Sequence, residues 1–180
     1  MIDKPFIVLA TQNPVETAGT YPLPEAQLDR FMIKLAVGYS DRESEMQILD
    51  NSRAVHPVES LTAVTDKAEL LEMMNRVENI KVNEAVRGYI ADIGNAIRHN
   101  SEIKLGLSTR GLIALKNMSQ SRAALRGREF VTPDDVKAVA PYVCAHRLIC
   151  RSTVMRDPDS AKQEILDKMI KEIPVPTEQI

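Results

Sequence analysis

The chain has 180 residues, of which 44% are hydrophobic and 27% charged, as is typical of a soluble globular protein with one large domain or two small ones. Its 23 basic and 25 acidic side chains leave a formal net charge of -2, which gives no field to attract a polyanion, so nucleic acid is not an expected partner. There is no apolar run of the roughly 18 residues that a membrane helix needs, and no signal peptide pattern, so we expect a cytoplasmic protein without a membrane partner.

Two short apolar runs near the front of the chain are typical of strands in a buried parallel sheet. They are residues 6–10 and residues 31–37. Between them, Asn13 and the proline after it predict a loop, and residues 24–30 predict a short helix. Because two strands alone make a poor sheet, we expect the chain to begin partway through an α/β domain.

From residue 40 onward the hydrophobic period is helical, and about six helices are predicted. The predicted caps at their starts are Ser40 (with Glu43 as a capping box), Thr65, Asn83, Ser108 and Thr132, and the last helix follows Pro158. Gly127 predicts a left-handed stop after the fourth helix. The predicted core positions are Val86, Ile90, Ile93 and Ile97 in the third helix, Val136, Val139, Ala140 and Val143 in the fifth, and Ile165, Met169 and Ile173 in the last. A mostly helical chain follows from this pattern.

Four stretches of the sequence, taken in order, carry a family resemblance. Residues 6–14 read Phe-Ile-Val-Leu-Ala-Thr-Gln-Asn-Pro, and residues 19–31 read Gly-Thr-Tyr-Pro-Leu-Pro-Glu-Ala-Gln-Leu-Asp-Arg-Phe. Residues 106–111 read Gly-Leu-Ser-Thr-Arg-Gly, and residues 130–148 contain Phe-Val-Thr-Pro-Asp-Asp-Val-Lys-Ala-Val-Ala-Pro and then His-Arg-Leu. In order and spacing they resemble the sensor 1 strand, the segment after it, the sensor 2 helix and the final lid helix of MoxR-family AAA+ ATPases.

The resemblance implies a fold and an activity. Residues 1–39 would be the last strands of a P-loop AAA+ α/β core, carrying sensor 1 and the arginine finger, and residues 40–180 its α-helical lid with sensor 2. A full-length protein of this kind would bind ATP and Mg²⁺ and form a homo-oligomeric ring, expected to be a hexamer. It would act as a chaperone-like motor that matures client proteins or inserts their cofactors, although the client is not indicated.

Asn13 and Arg30 are two of the three site residues that the resemblance implies. Asn13 matches sensor 1, where a side-chain amide at the end of a strand can orient the water that attacks a terminal phosphate. Spacing alone favours the other interpretation, in which Asn13 caps a turn before the proline, and it is the resemblance that favours the sensor role. Arg30 matches the arginine finger, whose permanently charged guanidinium would reach the nucleotide of a neighbouring subunit. The alternative for Arg30 is a surface ion pair with Asp29 or Glu25.

Arg110 is the third site residue that the resemblance implies, and it matches sensor 2. It follows the predicted cap Ser108 in the first turn of a helix, where a cation opposes the helix dipole. A phosphate nearby would relieve this conflict, and the subunit that would supply that nucleotide is left open. The alternative is a solvated arginine paired with an acidic neighbour.

The sequence lacks the groups that would hold the nucleotide itself. It contains no Gly-x-x-x-x-Gly-Lys-Ser/Thr motif and no Walker B strand with paired acids, so we expect the chain alone to be inactive as an ATPase. The competing hypothesis is a non-catalytic helical interaction module of lid ancestry.

Two other clusters favour structural interpretations. Cys144, His146 and Cys150 have no common zinc spacing, so we expect core residues, with both cysteines as free thiols. The arginines of residues 122–128 indicate a solvated or dipole-facing helix end more than a nucleic-acid site.

Overall fold

The computed structural model describes residues 3–12, 23–51, 57–151 and 158–176. The α-helices in these ranges are α1 (Glu25–Leu28), α2 (Arg42–Asn51), α3 (Lys67–Glu78), α4 (Glu84–His99), α5 (Thr109–Leu125), α6 (Pro133–Cys144) and α7 (Pro158–Glu172). Two short strands, β1 (Ile103–Leu105) and β2 (Ile149–Cys150), pair antiparallel. Short 3₁₀ turns span Pro57–Ser60 and Ala145–Arg147. The mostly helical fold is therefore confirmed.

Helices α4, α5 and α6 begin where the caps predict. The Asn83 side chain accepts a hydrogen bond from the Val86 N–H at 2.8 Å, and Ser108 Oγ accepts one from the Gly111 N–H at 3.2 Å. Helix α6 begins at the proline after Thr132, whose N–H and hydroxyl both donate to the carboxylate three residues later. After α5, Gly127 has a φ of 69°, the left-handed stop that its position predicts.

The predicted caps of α2 and α3 were wrong by one residue. Asp41, not Ser40, accepts from the Ser44 N–H at 2.8 Å, so α2 begins at the next residue. Asp66, not Thr65, accepts from the Glu69 N–H at 2.9 Å, while the Thr65 hydroxyl donates to the Glu69 carboxylate at 2.6 Å. In both cases a carboxylate adjacent to the predicted hydroxyl group is the acceptor at the helix start.

The hydrophobic core lies among α4, α5, α6 and α7. Its helical members are Val86, Tyr89, Ile90, Ile93 and Ile97 of α4, Ala114, Leu115 and Ala123 of α5, Val136, Val139, Ala140, Val143 and Cys144 of α6, and Ile165, Leu166, Met169 and Ile170 of α7. The predicted stripes of these helices are thus confirmed, except that Ile173 is only partly buried. Burial of each large aliphatic side chain contributes about 1.5–3 kcal/mol.

Two backbone pairings tie the connections between helices together. Strand β1 pairs with β2, joining the chain before α5 to the chain after α6. A parallel bridge joins Lys81 to Phe130. The Lys81 N–H donates to the Glu129 carbonyl, and the Lys81 carbonyl accepts from the Val131 N–H, both at 2.9 Å.

Among the described residues there is no helix long and apolar enough to cross a membrane.

The two predicted front strands were wrong for the described residues. Residues 6–10 and 31–37 are neither helix nor strand, and Phe6 and Leu9 are 64% and 91% exposed. A strand requires backbone partners on a neighbouring strand, and the described part of the chain places none beside these runs. The short helix predicted over residues 24–30 is confirmed as α1.

Candidate functional site

The structure describes two of the three predicted site residues. Asn13 lies outside the described residues. Arg30 lies just after α1 and Arg110 is the second residue of α5, and both are exposed. Neither side chain makes a hydrogen bond or ion pair with any described residue, so the ion pairs that were the alternative for each arginine are not formed there.

A buried arginine, Arg147, connects the two segments that carry these residues. It follows the end of α6, and its side chain is 2% exposed. Its Nε donates to Asp29 Oδ1 at 3.1 Å, and its Nη2 donates to the carbonyls of Asp29 and Phe31 at 3.3 and 2.5 Å. Its Nη1 donates to the carbonyls of Met32, at 3.2 Å, and Val143. The guanidinium therefore binds the backbone on both sides of Arg30.

The Asp29 carboxylate joins this contact to the start of α5. Its two oxygens accept from the Ser108 hydroxyl, each at 3.2 Å, while Oδ1 also accepts from Arg147. Because Ser108 is the N-cap of α5, one carboxylate contacts both the Arg147 guanidinium and the helix end that carries Arg110.

Arg147 also packs closely on the first turn of α5. A Cβ added at Gly111 would lie 3.2 Å from Arg147 Cδ and 3.0 Å from a methyl carbon of Leu107, so glycine permits this approach. Burial lowers the pKa of Arg147 and the positive charge of Arg110 acts in the same direction, whereas Asp29 raises it. The two arginines are thus electrostatic neighbours, and Asp29 offsets the repulsion between them.

His146 makes a second contact between the lid and the segment after α1. Its Nε2 lies 3.1 Å from the Phe31 carbonyl, the geometry of an N–H donor in the neutral ring. Burial lowers the pKa of His146, and the charge of Arg147 adds to that effect. The Lys34 N–H also donates to the Tyr142 carbonyl at 3.0 Å. Residues 29–34 are therefore held against the end of α6.

Two arginines near the end of α5, Arg122 and Arg128, contact a carboxylate at the start of α6. Arg128 binds the Asp135 carboxylate through two nitrogens at 2.6 and 2.7 Å, and Arg122 approaches it at 3.6 Å. Burial would raise the pKa of Asp135, but hydrogen bonds from Arg128 and Thr132 outweigh it and lower that pKa below its usual value. At least two arginines of this run thus hold the start of α6 rather than project freely.

The cysteine cluster has the character of the core. Cys144 and Cys150 are both free thiols, and burial raises the pKa of Cys144 to about 12. A thiol with that pKa stays protonated at neutral pH and is a poor metal ligand. Among the described residues, no group of three or more His, Cys, Asp and Glu side chains could hold a metal ion.

Periodicity and spacing did not indicate the contacts of Arg147 and Asp29. The two residues are 118 positions apart, and helical or strand periodicity carries no information about such a pair. The available signals were indirect. Both residues occur in stretches that resemble the family, and a glycine, Gly111, stands in the first turn of the predicted helix.

Both the front segment and the helical part of the chain are similar to known proteins. The family described as AAA lid domain matches residues 95–169, and the ATPase family associated with various cellular activities (AAA) matches residues 1–33. The protein YeaC of Bacillus subtilis is 42% identical over 81% of this chain and 45% of its own length. The chaperone MoxR1 of Mycobacterium tuberculosis is 32% identical over 96% of this chain and 48% of its own length.

A solved structure shares the fold. It is a candidate ATPase from Cytophaga hutchinsonii that matches with a TM-score of 0.84 and 32% identity, covering 97% of this chain and 56% of that one. The fold class is thus the C-terminal part of a P-loop AAA+ α/β core followed by an α-helical lid. The chain belongs to the MoxR family of AAA+ ATPases. It spans about half the length of the curated relatives it matches.

Proposed function

We propose that the full-length protein hydrolyses ATP and that this chain supplies the residues that sense the nucleotide and act between subunits. The observation that carries the proposal is that two exposed arginines, which have no hydrogen-bond or ion-pair partner among the described residues, lie beside a buried contact that joins their segments. Free guanidinium donors are available to phosphate oxygens, whereas arginines already bound to carboxylates are not.

Arg30 would act as the arginine finger. It follows a turn whose backbone is held on both sides by Arg147, and its own side chain is bound to no residue in the described part of the chain. Such a residue stabilises charge that develops on the transferred phosphoryl group of a nucleotide held by the neighbouring subunit.

Arg110 would act as sensor 2, and Asn13 as sensor 1. Arg110 occupies the first helical turn of α5, where unpaired N–H groups and the helix dipole favour an anion and disfavour a cation. A bound phosphate would offset that unfavourable position. Asn13 would orient the attacking water, a role that rests on the family resemblance of its segment.

The remaining parts of the proposal concern the whole assembly. Residues 1–39 belong with the ATPase core and residues 40–180 form the lid. The phosphates and Mg²⁺ are held mainly by Walker motifs that this sequence lacks, so the chain alone is inactive. The protein works in the cytoplasm as a homo-oligomeric ring, a hexamer, and couples hydrolysis to chaperone-like maturation of a client or insertion of its cofactor. The relative named as the chaperone MoxR1 supports this last part.

Charge removal at the two arginines tests the proposal. In the full-length protein, Arg30→Ala lowers the rate of ATP hydrolysis by about a thousandfold or more, because transition-state charge loses its partner. Arg110→Ala also abolishes turnover. The measurement is phosphate release at saturating ATP, with folding checked by circular dichroism.

Arg126→Ala is the matched control for this experiment, since Arg126 is also an exposed arginine but follows the far end of α5. Its turnover should equal that of the unmodified protein. If all three variants hydrolyse ATP equally well, the chain is a non-catalytic interaction module.

A further inference from the structure

We infer that the Asp29–Arg147 pair is a positioning device that locks the arginine-finger turn to the first turn of α5. The position of the lid would then set the position of the finger. The inference deepens the proposed function, because it names the residues that would link the sensor 2 helix to the action of Arg30 on a neighbouring subunit.

The first observation is the way in which Arg147 holds the turn around Arg30. The Arg147 side chain is 2% exposed, and its guanidinium donates to the carbonyls of Asp29, Phe31 and Met32. These carbonyls bracket Arg30 and follow the end of α1, where helical partners are absent. The Arg147 side chain thus holds the backbone on both sides of Arg30, and His146 adds a further contact with the Phe31 carbonyl.

The second observation is that Asp29 is shared between the turn and α5. Its carboxylate accepts from Arg147 Nε and from the Ser108 hydroxyl, which caps the helix of Arg110. The glycine at position 111 lets the Arg147 side chain pass close to that helix. A displacement of α5 relative to α1 must therefore break or carry along both contacts of Asp29.

The third observation is electrostatic. Arg147 is buried with Arg110 close enough to lower its pKa, and Asp29 is the carboxylate that forms its ion pair among the described residues. Removing that negative charge leaves a buried cation beside a second cation, which is the costly way to break such a pair. The contacts of Asp29 with Arg147 and Ser108 would then be weakened, without the removal of any residue that we propose to contact nucleotide.

The first test is Asp29→Asn in the full-length protein, a change that keeps the size of the side chain and removes its charge. We expect the kcat for ATP hydrolysis to fall about tenfold or more with the KM for ATP changed by less than about twofold, because positioning affects the transition state and not ground-state binding. A loss confined to KM would overturn the inference.

A double-mutant cycle separates positioning from general stability. If Asp29 acts through Arg30, then adding Asp29→Asn to Arg30→Ala lowers single-turnover phosphate release by less than about twofold further. If the full tenfold loss appears again in the Arg30→Ala background, the inference fails.

Asp135→Asn is the matched control, because it breaks the other buried arginine–carboxylate pair, which lies within the lid. Its effect on the rate should be the same with Arg30 or Ala at position 30. An equally non-additive result for Asp135→Asn would mean that any loosening of the lid acts through the finger, which would overturn a specific role for Asp29.

Amide hydrogen exchange gives a readout that does not require ATPase activity. In Asp29→Asn, amides of residues 30–34 should exchange at least about tenfold faster than in the unmodified protein, and in Asp135→Asn they should not. Equal protection in both variants would overturn the inference. An unmodified protein without ATP turnover would refute the proposed function, while the exchange rates would still decide whether Asp29 locks the turn.

Discussion

The front of the chain and the helical domain behind it use similar hydrophobic residues with opposite results. All the described hydrophobic side chains that are fully buried lie at or after Val86, in the helical domain. In the front region, by which we mean the residues before Val86, residues 6–10 and residues 42–50 of helix α2 are exposed throughout, including Leu9 at 91% and Leu49 at 73%. An apolar pattern therefore indicates a surface that can be buried. Burial occurs only where a complementary surface packs against it.

The boundary between the two regions is not a simple linker. Residues 29–34 belong to the front region by position, but Arg147, His146 and the Tyr142 carbonyl hold them against the helical domain. The contact is made mainly by polar groups, and Arg30 and Arg110, the two described residues for which we propose a role at the nucleotide, lie on its two sides. This contact therefore differs from the apolar core, because hydrogen bonds and an ion pair carry it.

The largest expected effect tests burial directly. Leu115→Ala in the 180-residue chain should lower the free energy of unfolding by about 2–5 kcal/mol, because Leu115 is fully buried and its truncation leaves a cavity. Leu9→Ala should change it by less than about 0.5 kcal/mol, since Leu9 is exposed. Urea denaturation followed by circular dichroism measures both values.

The effect of Leu9→Ala on stability should depend on whether the rest of the ATPase core is present. In a polypeptide that contains the whole ATPase core, Leu9→Ala should become destabilising by at least about 1 kcal/mol, because the sheet would cover it. If Leu9→Ala leaves the stability of both polypeptides unchanged, residues 6–10 are a surface segment and do not join a sheet of the ATPase core.

A smaller effect compares two helix caps with the same hydrogen-bond length. Asn83 caps α4 and Asp41 caps α2, each through a 2.8 Å bond from a backbone N–H. Asn83→Ala should lower the global free energy of unfolding by about 1 kcal/mol, because α4 is part of the core. Asp41→Ala should leave the global value unchanged and raise amide exchange only within residues 42–50, because all of these residues are exposed. Equal losses of global stability for the two variants would show that α2 unfolds together with the core helices α4 to α7.

The smallest expected effect concerns pH and the contact between the regions. Burial lowers the pKa of His146 below its ordinary value of 6.5, so the unfolded chain binds a proton before the folded chain does. The contribution of neutral His146 to stability is therefore complete above pH 6.5 and decreases as the pH falls from 6.5 towards the lowered pKa. Denaturant midpoints measured from pH 7.5 down to pH 5 should fall more steeply for the unmodified protein than for His146→Gln. Parallel curves would show that protonation of His146 is not linked to folding.

Local patterns were sufficient to predict the helices and much of their packing. Asn83, Ser108 and Thr132 mark helix starts because capping depends only on neighbouring backbone groups, and the stripe from Val86 to Ile97 reflects the helical period alone. The caps Asp41 and Asp66 were missed by one position, since two adjacent polar residues can compete for the same N–H groups. The family resemblance was also carried by contiguous residues, and the comparisons confirm it.

The amino-acid pattern alone was thus enough to predict the helices, their core stripes and the family resemblance, because each depends on residues close together along the chain. The exposure of the front apolar runs, and the contact of Asp29 with Ser108 and Arg147 beside Arg30 and Arg110, are seen only in the folded chain. They depend on which surfaces and charges the fold brings together from residues 79 and 118 positions apart, and no local period or spacing predicts such a contact.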